Sequence, residues 1–162
     1  TWTASGAAGV SRDDLNIFYG SSAVIVNTTK AGQGATHTID YSHLLFDKND
    51  YTVSLRLLLT SGSPTAQVTF TLGKFTNKVA VTAMMNRNTW TPVIIRNTAV
   101  ADPNETSMTG SVNIQTLGTN SNDTGALFTV DGLQISEGSF PSNFVGPDQI
   151  RKGGEVSWMV GD

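Results

Sequence analysis

The chain has 162 residues, a net charge of −3, only 14% charged residues and no cysteine. Phosphate-rich partners demand a basic face, so nucleic acid is excluded as a partner class; neither disulfides nor cysteine-bound zinc can hold the fold. No run approaches the ~20 apolar residues that span a bilayer, because the longest, Leu55 to Leu59, is broken by Arg56.

Period-2 alternation recurs along the chain and helical periodicity is nearly absent, which predicts an all-β protein. The first strands are expected at Leu15 to Phe18, Ala23 to Asn27 and Thr36 to Tyr41. Tyr51 to Leu57 is the cleanest: Tyr51, Val53, Leu55 and Leu57 share one face, and Thr52, Ser54 and Arg56 the other. Gln67 to Leu72, Lys78 to Met84, Trp90 to Ile95, Met108 to Gln115 and Ala126 to Ile135 read the same way. Ser61-Gly-Ser-Pro64, Asn86-Arg-Asn88, Ala101-Asp-Pro-Asn104 and the stretch 118–125 supply the turn residues between them. Short strands at this spacing predict a jelly-roll β-sandwich of two antiparallel sheets over residues 1–138. From 139 to 162 glycine and proline interrupt any strand period, so this stretch is expected to be a C-terminal tail outside the sandwich. Its apolar residues Phe140, Phe144, Ile150 and Trp158 suit an interaction segment. The chain begins at Thr1 with neither a basic n-region nor an apolar h-region, the pattern of a processed or excised piece of a longer polypeptide.

Five segments fall in one order: DKNDYTVSLRLLL (47–59), AQVTFTLG (66–73), NTWTPVIIRNTAV (88–100), SVNIQTLG (111–118) and GALFTVDGLQISEG (125–138). In that order and rough spacing the chain resembles the family 4/9/22 carbohydrate-binding modules, which are β-jelly rolls. The segment VDGLQISEGSFPSNF (130–144) is similar to the way such modules end in bacteriophage tail fibres and tailspikes. The resemblance implies a non-catalytic module, on the virion or otherwise extracellular, that binds a host cell-surface polysaccharide as a homotrimer within a longer tail protein. Where relatives that bind glucans or xylans carry aromatic platforms, this chain has His37 and the run 77–86 without tryptophan, so a cellulose or xylan specificity is not implied.

The outward faces of the long strands are where a saccharide is expected. Arg56 offers a planar donor fork, and Asn113 and Gln115 paired donors and acceptors, with His37 and Arg87 at the rim. Polar residues also occupy the solvent face of any antiparallel sheet, so that reading stands beside this one. Asp131 matches the position of a structural calcium ligand in the resembling modules; the alternative is an ordinary strand-edge acid with its hydrogen bonds satisfied. Trp2 is expected to cover the core from an edge strand, and Trp90 either to pack in the core or to serve as a sugar platform.

His37 and His43 have no serine-nucleophile signature near them, Gly32-Gln-Gly34 lacks the third glycine of a phosphate loop, and nothing pairs Asp40 with Asp131 as glycosidase acids. The chain is therefore read as a binding protein rather than an enzyme. A rival reading makes it a structural module that trimerises a tailspike through residues 139–162 and binds no sugar.

Overall fold

The computed structural model describes residues 1–20, 22–39, 47–73, 77–100, 109–118, 125–138, 150–152 and 156–159, the last two stretches as backbone. Twelve strands and no helix occur among them: β1 (Trp2–Ser5), β2 (Gly9–Asp13), β3 (Ala23–Asn27), β4 (Gly34–Ile39), β5 (Asp50–Gly62), β6 (Thr65–Leu72), β7 (Lys78–Met84), β8 (Trp90–Thr98), β9 (Gly110–Thr116), β10 (Ala126–Glu137), β11 (Ile150–Lys152) and β12 (Val156–Met159). They form two antiparallel sheets stacked as a jelly-roll sandwich. The front sheet runs β1-β4-β9-β6-β7. In the back sheet β10 pairs with β5 along one edge, and β8 lies beyond β5. Along its other edge β10 pairs first with β3, then with β12.

Alternation explains the stacking. Val68, Phe70, Leu72, Val112 and Ile114 of the front sheet are buried against Leu55, Leu57, Leu59, Phe128, Val130 and Ile95 of the back sheet. Each such side chain contributes about 1.5–3 kcal/mol by leaving water. Asn97 is buried among them with its amide nitrogen donating to the Phe70 and Asn77 carbonyls (3.1 and 2.9 Å), which removes the penalty of an unpaired polar group.

Two expectations are corrected. Residues 15–18 are not a strand; they belong to the β2–β3 connection, and the strand lies just before them at Gly9–Asp13. That strand carries a single large apolar residue, Val10, because it is an edge strand, so its periodicity is too weak to read. Trp2 does cover the core from edge strand β1, at 7% exposure. The tail is not wholly outside the sandwich, since β12 pairs with β10 through Gln134↔Met159, Ile135↔Trp158 and Ser136↔Ser157, and β11 pairs with β12. β3 is much shorter than β10 and leaves this half of its edge open, a fact of pairing that no local pattern in 139–162 encodes. Asp40, Tyr41, His43, Phe75, Met108, Phe140 and Phe144 lie outside the described residues.

Candidate functional site

The outward face of the front sheet is built by register. Thr3, Thr36, Asn113, Thr69 and Ala80 lie on one cross-strand row. Gly34, Gln115, Gln67 and Thr82 form the row on one side of it, and Thr38, Ser111, Thr71 and Lys78 the row on the other. Because strand side chains alternate, the residues between these along each strand point into the core. All of these residues but Thr3, Gly34 and Thr82 line an open groove of about 800 Å³. At one end Gly34 sits where a Cβ would come within 1.7 Å of the Ile114 carbonyl oxygen, so β4 approaches β9 closely there only because the residue is glycine.

Polar groups on this floor hold one another in place. The Ser5 and Thr36 hydroxyls are 2.7 Å apart, and the Asn113 side-chain nitrogen donates to both, at 3.0 and 2.7 Å. On the next row the Gln115 amide donates to the Gln67 carbonyl oxygen at 3.1 Å. Rotamers tied in this way leave less freedom to lose when a ligand arrives. The surface presents hydroxyls and amides to the groove, suited to exchanging hydrogen bonds with a polyhydroxylated ligand.

Of the five residues expected to line a single face, only Asn113 and Gln115 meet. Arg56 is on β5 in the back sheet, its guanidinium carbon 4.4 Å from the centroid of the Phe18 ring, on the far side of the sandwich from the groove. His37 points inward, is 3% exposed and packs against Trp2 with ring centroids 5.5 Å apart. Arg87 lies between β7 and β8, bridged through its backbone to Leu59 of the back sheet. Both sheets present polar outward faces, and strand patterns do not say which strand joins which sheet. Reading missed Gln67, Thr36, Thr69 and Thr71; the TxT spacings of Thr36-His-Thr38 and Thr69-Phe-Thr71 were the available signal. Trp90 does not pack in the core between the sheets: it is half-buried on the outer face of the back sheet, with Phe18 edge-on at 5.5 Å.

Asp131 sits at a bulge, where the β10–β5 register shifts between Asp131 and Gln134 and Gly132 adopts φ +66°. Such a bulge re-aims its side chain. One carboxylate oxygen accepts the backbone N–H groups of Phe18 and Tyr19, at 2.7 and 2.8 Å, and the other accepts that of Gly132 at 2.7 Å. Asp13, 6% exposed, caps the start of the same connection. Its carboxylate accepts the Leu15 and Asn16 backbone N–H groups (2.9 and 3.0 Å), the Asn16 amide (3.1 Å) and the Thr129 hydroxyl (2.8 Å). Burial opposes the charge on Asp13, but these hydrogen bonds outweigh it and hold its pKa below the ordinary 3.8. Both Asp131 oxygens face N–H donors, and no group of three acidic or imidazole side chains converges anywhere among the described residues. The Asp131 carboxylate is thus engaged as a hydrogen-bonded strand-edge acid.

No protein-family profile matches the chain, and no curated protein sequence matches it. Solved structures resemble its fold. The second family 22 carbohydrate-binding module of Paenibacillus barcinonensis Xyn10C, a xylan-binding domain, superposes with a TM-score of 0.60 at 14% identity, over 83% of this chain and 89% of that one. Another family 22 xylan-binding domain gives 0.55 at 21% identity, over 82% and 83%. The Clostridium thermocellum xylanase 10B fragment that joins such a module to its catalytic domain, complexed with xylohexaose, gives 0.64 at 15% identity, over 90% of this chain and 27% of that one.

Proposed function

We propose that this chain is a non-catalytic carbohydrate-binding module that holds a polysaccharide in the groove on the front sheet. The observation that carries this reading is the interlocked floor of Ser5, Thr36, Asn113, Gln67 and Gln115 on a concave surface of hydroxyls and amides. The xylan-binding domains that share its fold support it. Without aromatic platforms among the described groove residues, affinity in one copy rests on hydrogen bonds exchanged with water, each a net ~0.5–1.5 kcal/mol. A site of micromolar to millimolar affinity, about 4–8 kcal/mol, follows.

The finer reading is that the polysaccharide belongs to a host cell surface and that the module is displayed in several copies, as a homotrimer, by a phage tail protein on the virion. Its support is the resemblance of residues 130–144 to the ends of such modules in tail proteins. Several copies would raise avidity with no new contact. Affinity electrophoresis through gels containing soluble polysaccharides tests the site: retardation by at least one glycan, weakened in Asn113→Ala, is expected, and no retardation by any glycan overturns it. Light scattering on the full chain tests the trimer.

A further inference from the structure

The front sheet is nearly free of charge, although the chain as a whole is acidic. Its five strands contain no Asp or Glu, and the described carboxylates, Asp13, Asp14, Asp47, Asp50, Asp131 and Glu137, all lie in the back sheet or its adjoining turns. Among the described residues one charged side chain lines the groove, Lys78 at the start of β7. It is exposed and stands opposite Thr71, closing the row Thr38–Ser111–Thr71 at the outer edge of the sheet. Among the described residues no carboxylate pairs with it.

From this placement, and resting on the reading of the groove as a saccharide site, we infer that the ligand is a heteropolysaccharide carrying an anionic substituent at intervals, with that substituent seated at Lys78. A uronic acid or a sulfate ester supplies such a charge. The spacing follows from the lining. Five strands about 4.8 Å apart span roughly 20 Å, room for only a few sugar rings. Over all but one edge of that width the groove offers hydroxyls and amides, which suit neutral sugars and leave a second anion without a cation. A ligand charged on every ring would meet one lysine and an otherwise uncompensated surface. A wholly neutral ligand would leave the ammonium hydrated and unused. The absence of carboxylates from the sheet removes the repulsion that an acidic protein would otherwise offer an anion.

The test uses the full chain against immobilised acidic glycans, each paired with its carboxyl-reduced, uncharged counterpart, and repeats the measurement with Lys78→Gln and Lys78→Glu. At low salt the acidic member of each bound pair is expected to bind about 1.5-fold to fivefold more tightly, the range of an exposed ion pair. In ~0.5 M salt that preference should fall towards unity, because the Debye length shrinks to a few ångströms. Lys78→Gln should abolish the preference, and Lys78→Glu should reverse it. Lys78 is exposed, so melting curves of the variants should match the parent. Equal or tighter binding of the neutral members, or an unchanged preference in Lys78→Gln, overturns the charge assignment and leaves the saccharide reading standing. If no member of any pair binds, both fall together.

Discussion

Replacing Asp131 by alanine removes three short hydrogen bonds from the connection between β2 and β3, and its consequence separates a hydrogen-bonded cap from a metal ligand. The Phe18 N–H is exposed, so water replaces the lost acceptor at little cost. The Tyr19 and Gly132 N–H groups are partly buried. A charge-assisted bond contributes ~1.5–3 kcal/mol, and discounting for solvent access leaves about 1 kcal/mol for each, so about 2 kcal/mol in all. For a domain of this length that is a fall of roughly 4–8 °C in Tm. Asp131→Asn keeps one acceptor for Phe18 and Tyr19 but turns an amide towards the Gly132 N–H, so about half the loss is expected. The assay is urea denaturation, with thermal melts in EDTA and in ~1 mM calcium. A calcium ion held only by the native state, at a hundred times its Kd, would add ~2.7 kcal/mol and raise the Tm of the parent by several degrees. No calcium shift is expected. A clear rise with calcium, or an alanine variant as stable as the parent, would refute the cap.

Asn113→Ala should weaken binding to any retained glycan about tenfold, because it removes a groove amide and releases the Ser5 and Thr36 hydroxyls it holds; calorimetry on the folded variant reads this. Arg56→Gln and Arg87→Gln should leave glycan affinity unchanged, since neither side chain belongs to the front sheet, and loss of affinity in either would move the site. The Asp13 pKa is lowered in the folded state, so its contribution is fully present above 3.8 and is lost as the pH falls through the lower folded value. Urea midpoints should therefore drop below about pH 4 in the parent and less steeply in Asp13→Asn; parallel curves would exclude Asp13 as the source.

The interior was legible because period-2 alternation states which side chains share a face, whatever strand lies alongside. Val68, Phe70 and Leu72, or Leu55 and Leu57, are buried wherever their strands dock, since only one face of each is apolar. The resemblance drawn from the order of five strands points to the same sandwich that the solved structures share. Asn113 and Gln115 were legible for a related reason: they alternate with Val112 and Ile114, so they had to face outward.

Pairing was another matter. Sequence by itself determined that the chain forms two packed sheets and which residues turn away from water. Only the tertiary structure decided that β9 lies between β4 and β6 while β5 lies between β10 and β8, and so that Arg56 and Asn113 stand on opposite sides of the molecule. The same holds for Asp131, which a bulge turns onto the 18–19 backbone. Alternation along a strand is a local consequence of backbone geometry, whereas the neighbour of a strand is set by contacts between segments far apart in the chain, and no run of residues carries that information.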